Sequence, residues 1–188
     1  FLCYESIMAP IEFNEVRDAR EKVIVERLID IRRAETEYRN IKGDYTDNFD
    51  TLLYFIKNDK AKIVLKEGEL TDKQLEEGMT EKKAVKLGLI KRDTTYVSML
   101  ENLFGADYPV DSLRYIPFSS PRQEFTLEKD EITTGSAGIK VKVMAAKAPY
   151  ASYLNDLDKQ ELINLIETTE KLEKYPGLKF GDIEQANN

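Results

Sequence analysis

Residues 12–41 contain neither glycine nor proline, and this run constrains the fold more than any other feature. Within it Ile24, Leu28, Ile31, Ala34, Tyr38 and Ile41 recur at intervals of three and four. That spacing stacks them on one face of a helix. At about 1.5 Å per residue the helix would be roughly 45 Å long, more than a core of this size requires, so its first turns are expected to project from the body. Arg17, Arg20, Glu21, Lys22, Glu26, Arg27, Asp30, Arg32 and Arg33 lie between the apolar positions and are expected to form a solvated face of mixed sign. A heptad seam would put Glu35 at a core position, so an amphipathic helix on a globular body is favoured over a coiled coil.

Gly43 is placed to end this helix in the left-handed conformation. Thr46 or Asp47 is expected to cap a second, short helix carrying Phe49, Leu52, Leu53 and Ile56. Residues 60–65 read as a strand. Thr71 with Gln74 forms a capping-box signature, and Thr80 is a plain cap for a short helix ended by Gly88. Beyond this point β signals dominate, with strands predicted at 89–92, 94–97, 113–117, 124–127 and 139–144 and a helical turn at 100–104. In the last strand Ile139, Val141 and Val143 alternate with Lys140 and Lys142, as in an antiparallel sheet with one wet face. A helix over 159–174, capped by Asp156 or Asp158, ends at the Tyr-Pro-Gly turn, and Leu178 to Phe180 can add an edge strand. There is no internal repeat and no long linker. The expectation is an α+β fold: a long N-terminal helix packed against a mostly antiparallel sheet, with short additional helices, in one domain over 12–188.

Composition removes several kinds of chemistry. The 188 residues include no histidine, no tryptophan and one cysteine. Ser-His-Asp and Cys-His sites, HExxH zinc sites and CxxC redox pairs are therefore excluded. Lys and Arg number 28 against 35 Asp and Glu, a net charge of −7, which repels nucleic acid and anionic membrane surfaces.

The remaining motifs each have a functional and a structural reading. TTGSAGIK at 133–140 offers a KH-like GxxG loop, but strands rather than helices flank it. It lacks the spacing of a phosphate loop. Ser136 could be activated by Lys140 or Lys142, yet no SxxK pattern occurs, and a hairpin turn with glycine at positive φ accounts for the same residues. Asp44, Asp47, Asn48 and Asp50 form one acidic cluster, and Asn155, Asp156 and Asp158 another. Calcium takes such oxygen ligands, but neither cluster has an EF-hand pattern and helix capping explains several members. A two-carboxylate glycosidase needs only acids, and no pair stands out among 35. Tyr108, Tyr115, Tyr150, Tyr153 and Tyr175 gather in the second half, where tyrosines serve either packing or an interface. No catalytic, cofactor or metal residue is nominated, and no cofactor is expected.

The first eleven residues are largely apolar but far short of the roughly 20 that cross a bilayer. They are expected to be a stub at the end of a removed anchor, with Cys3 an unreactive thiol, since no base adjoins it. The stretch IVERLIDIRRAETEYRNIKGDYTDNFDTL, with Ala34 and Tyr38 late in the helix, Gly43 and Tyr45 in the turn, and Phe49 and Leu52 beyond, resembles the region after the membrane segment in type IV pilins and type II secretion pseudopilins. The stretches LTDKQLEEGMTEKKAVKLG, YPVDSLRYIPF and YPGLKFGD look like a family of exported, N-terminally anchored proteins of gut Gram-negative anaerobes. These resemblances imply a non-enzymatic, membrane-tethered periplasmic or envelope domain that is a structural or assembly component with protein partners. The alternatives are a soluble binding module for a peptide or small molecule, and a hydrolase using carboxylates or a Ser-Lys pair.

Overall fold

The run free of glycine and proline is helical throughout, and the helix begins earlier than the spacing predicts. In the computed structural model α1 spans Leu2–Lys42 and carries Pro10 inside it. Proline lacks the N–H that would bond four residues back, but its fixed φ suits a helix and the chain continues through it. At about 1.5 Å per residue α1 is ~61 Å long. Residues 2–186 are described, with side chains described from Ile7 onward. Phe1 and the side chains of Leu2, Cys3 and Glu5, assigned above to the apolar stub, lie outside the described residues.

After α1 come α2 (Phe49–Asn58), β1 (Lys60–Glu67), α3 (Asp72–Glu76), α4 (Glu81–Lys86), β2 (Lys91–Ser98) and α5 (Met99–Leu103). They are followed by β3 (Thr126–Thr134), β4 (Ile139–Pro149), α6 (Tyr150–Tyr153), α7 (Lys159–Lys171) and β5 (Gly177–Gly181). The protein is α+β, with its long N-terminal helix, antiparallel sheets and short additional helices. It contains two compact units, residues 1–54 with 109–188, and residues 55–108.

In the first unit β3, β4 and β5 form an antiparallel sheet in that order. The β3–β4 register runs from Thr126 opposite Lys147 to Thr134 opposite Ile139. β4 is central, and Val143, Met144, Ala145, Ala146 and Ala148 are all buried. Consecutive burial means that both faces are covered there. Near the hairpin Ile139 is exposed like Lys140 and Val141 is half-buried like Lys142, so the expected alternation of a buried and a wet face does not appear along this strand. The glycines at the two ends of β5 let its backbone approach β4 closely. A Cβ at Gly177 or Gly181 would run into the carbonyl oxygens of Ala148 and Met144.

From α1, Ile24, Leu28, Ile31 and Ala34 are buried, as are Phe49, Leu52 and Leu53 of α2 and Tyr153 and Leu154 near the sheet. Two members of the predicted stripe differ. Tyr38 is half-buried, and Ile41, one residue before the helix ends, is exposed. The expected solvated face also loses members to the interior side, because Arg20 and Arg27 lie on the same side of the helix as Phe13, Ile24 and Ile31. Arg27 Nη1 donates to the carbonyls of Ser112 (2.7 Å) and Tyr115 (3.0 Å). This corrects the strand predicted at 113–117. Those carbonyls serve the arginine instead of a ladder, Val110–Ser112 is a single 3₁₀ turn, and only an isolated bridge joins Tyr115 to Glu124.

In the second unit β1 and β2 form a two-stranded antiparallel ribbon, from Lys60 opposite Ser98 to Glu67 opposite Lys91. The two strands predicted at 89–92 and 94–97 are one continuous strand. Thr71 and Gln74 make the full capping box at α3: Thr71 Oγ1 accepts from Gln74 N–H at 3.3 Å, and Gln74 Oε1 accepts from Thr71 N–H at 2.9 Å. Thr80 caps α4, accepting from Lys83 N–H at 3.3 Å. Lys66 and Arg92 stand opposite one another on the ribbon, and both reach Glu81 at 2.7 Å. These two cations hold its carboxyl down at about 2.

Candidate functional site

The motif at 133–140 is a hairpin turn. Gly135 and Gly138 both have positive φ, and the exposed Ser136 sits between them at the tip. The two lysines that could activate it are engaged with acids. Lys142 Nζ is 2.8 Å from Glu131 and 3.8 Å from Asp44, and Lys140 is 3.6 Å from Glu131. The hydrogen bond to Glu131 raises the Lys142 pKa. A Ser-Lys base needs the opposite shift, a depressed ammonium.

The acidic clusters are likewise dispersed among structural tasks. Asp44 pairs with Lys129 at 3.2 Å and accepts from Tyr45 N–H at 2.8 Å. Burial alone would raise its pKa, but the hydrogen bonds from Lys129 and Tyr45 outweigh it, and the group lies below the usual carboxylate range. Asp50 pairs with Arg114 at 2.7 Å. The cap of α2 is neither Thr46 nor Asp47. Asn48 Oδ1 accepts from Thr51 N–H at 3.2 Å, while Thr46 Oγ1 accepts from Asn48 N–H at 3.2 Å. At the other cluster Asp156 takes Arg20 bidentately at 2.7 and 2.8 Å. Asp158 caps α7 through Glu161 N–H, and Asn155 donates to the carbonyl of Ser120. Among the described residues no three potential ligands converge on a metal position.

The tyrosines do not form one surface. Tyr150 and Tyr153 meet edge to face at 6.2 Å, and Tyr153 is fully buried, its hydroxyl donating to Glu21 at 3.0 Å. Tyr115 carries Arg122 over its ring at 3.6 Å. Lys147 lies over Tyr175, and Tyr108 stacks on Phe104 at 4.2 Å.

Two features escaped the sequence reading. Glu35 is fully buried. Its Oε2 accepts from Thr46 N–H at 3.1 Å, and Oε1 has no hydrogen-bond partner among the described residues. Burial pushes its carboxyl up to about 8, against the opposing pull of the Thr46 amide and Lys129. The signal was visible, because a heptad seam runs through Glu35, but that observation argued only against a coiled coil.

The second feature is the outer face of α1. At about 100° per residue Ile7, Ile11, Asp18, Lys22, Val25 and Ile29 fall within roughly a 60° arc opposite the buried stripe. The four apolar members are 65%, 46%, 41% and 47% exposed. Singly exposed aliphatics need no explanation, but four aligned on one helix face do. No helix among the described residues is long and apolar enough to cross a membrane. Comparison with protein-family models, curated proteins and solved structures found no match to this chain.

Proposed function

We propose that this chain is a non-enzymatic structural or assembly component of the periplasm or cell envelope, working through protein partners and tethered by a segment that leads into α1. The observation carrying this reading is that α1 is used on both sides. One face is consumed by the core around Ile24, Leu28 and Ile31, and the other presents Ile7, Ile11, Val25 and Ile29 to the outside. A stiff two-sided helix is a means of joining bodies. The engagement of Lys142, Asp44 and Asp156 in ion pairs supports the non-catalytic part, because groups so held are not poised for proton transfer.

A screen of the purified protein against ester, peptide, phosphoester and glycoside substrates tests the non-catalytic part, with no turnover expected. Reproducible turnover abolished by Ser136→Ala or by one carboxylate substitution would overturn it. The tether is tested by fractionating the native full-length protein. It should stay with membranes through a high-salt wash, which screens charge pairing but leaves hydrophobic insertion intact, and recovery in the soluble fraction without detergent would contradict it. One observation favours the second reading, a peptide- or small-molecule-binding module. An open groove of about 510 Å³ in residues 55–108 is lined by Leu65, Val85 and Ile90 together with the charged Glu67, Lys91, Arg92 and Asp93.

A further inference from the structure

We infer that the outer face of α1 binds the same face of a second copy of this chain, as an antiparallel helix pair whose two-fold axis passes near residue 20. This rests on the structural-component reading and names the partner for one of its surfaces.

The argument is one of charge and register. The outer stripe runs Ile7, Ile11, Asn14, Asp18, Lys22, Val25, Ile29 and Arg32, steps of three and four that keep a seam facing a neighbouring helix. It has apolar residues toward both ends and a charged centre. An antiparallel partner placed so that paired residue numbers add to about 40 sets Ile11 against the partner's Ile29 and Asp18 against the partner's Lys22. The two-fold axis repeats both contacts, so four isoleucines flank two ion pairs. Lys22 makes no ion pair among the described residues, and the Asp18 carboxylate meets only the adjacent Arg17, at 3.1 Å. Both groups are exposed.

Parallel pairing and two of the other antiparallel registers meet like charges. A parallel pair brings Asp18 onto Asp18 and Lys22 onto Lys22. Sliding the antiparallel pair until Ile7 meets Ile29 puts Asp18 opposite itself, and sliding it until Val25 meets Ile29 puts Lys22 against Arg32. Like charges facing across an interface are strongly disfavoured, which weighs against those three. Setting Val25 on Val25 also pairs Asp18 with Arg32 but brings only one aliphatic contact, whereas the arrangement centred near residue 20 joins two Ile11–Ile29 contacts to its two ion pairs. A self-complementary patch related by a two-fold axis is also the commonest form of soluble association.

Sedimentation equilibrium of the chain, from micromolar to millimolar, is expected to show a monomer–dimer equilibrium. Ile11→Glu combined with Ile29→Glu should leave a folded monomer with the parent's circular dichroism and melting temperature at dilute concentration. Asp18→Lys alone and Lys22→Asp alone should each weaken the dimer by about tenfold or more. An equimolar mixture of those two variants should associate again, because every cation then faces an acid. Orientation is read by disulfide trapping in a Cys3→Ser background. Ile11→Cys mixed with Ile29→Cys should cross-link, while either alone should not, since like positions in the pair lie about 27 Å apart.

A monomer at all concentrations overturns the inference. So does a dimer indifferent to the Ile11→Glu, Ile29→Glu pair, or cross-linking of Ile11→Cys with itself. None of these outcomes bears on substrate turnover or on membrane fractionation, so they leave the structural-component reading to its own tests. Substrate turnover would sink that reading whatever the oligomeric state.

Discussion

At the scale of single residues, the side chain with the largest consequence is Glu35. A carboxyl whose folded pKa is raised above its unfolded value contributes least destabilisation when protonated. Its penalty is absent below about pH 4.5, the unfolded value, and grows as pH rises until it is complete above about 8. At ~1.4 kcal/mol per pKa unit the full effect has an upper bound of roughly 5 kcal/mol. Glu35→Gln keeps the oxygen that accepts from Thr46 N–H and removes the ionisation. Denaturant unfolding at a series of pH values should show the parent losing stability relative to this variant between pH 5 and 8. Parallel curves would mean that the carboxyl is solvated in the folded state. The sequence placed Glu35 on the side of α1 that a seam would occupy, but nothing in it showed that the turn after Gly43 folds back to set the Thr46 amide against that carboxyl. Arg20 and Arg27 were unreadable for a similar reason. An arginine beside an apolar stripe is normally solvated, and only the tertiary fold reveals carbonyls aimed at it from Ser112, Tyr115 and Tyr153.

At the scale of elements, capping and alternation were legible wherever the signal is local. The capping box at Thr71, the cap at Thr80 and the Asp158 cap on α7 follow from side chains acting within three residues. The cap of α2 did not, because Thr46, Asp47 and Asn48 are all competent and the choice is made by how Thr46 bonds Asn48 and Glu35. Asn48→Ala should therefore cost about 1 kcal/mol, whereas Asp47→Ala should be near neutral, as urea titrations of both will report. Equal losses would return the cap to Asp47. β4 taught the limit of period-two reading. Lys140 and Lys142 alternate cleanly with Ile139 and Val141, but the strand passes from a wet hairpin into the middle of a sheet, and its later residues are buried on both sides. The strand expected at 113–117 failed because its apolar residues, Leu113 and Ile116, are buried from a turn rather than from a ladder.

At the scale of the whole molecule, the α+β class was readable from one long helical period followed by β-alternation. The outer face of α1 was not, because Ile7 and Ile11 read in the sequence as part of an apolar stub at 1–11, and only a helix running unbroken from Leu2 aligns them with Val25 and Ile29. The account turns on the claim that adjacent positions on α1 serve opposite purposes, Leu28 facing the core and Ile29 facing outward. Replacing each in turn by aspartate isolates that claim with one chemical change. Thermal melts of Leu28→Asp and Ile29→Asp at dilute, monomeric concentration are the direct measurement. Leu28→Asp should lose several kcal/mol, because an unpaired charge cannot remain in the core. Ile29→Asp should melt within about a degree of the parent, since exposed substitutions change stability by about 0.5 kcal/mol or less. Equal destabilisation by the two, or a Leu28→Asp protein that melts like the parent, would contradict the two-sided helix and the assembly role built on it.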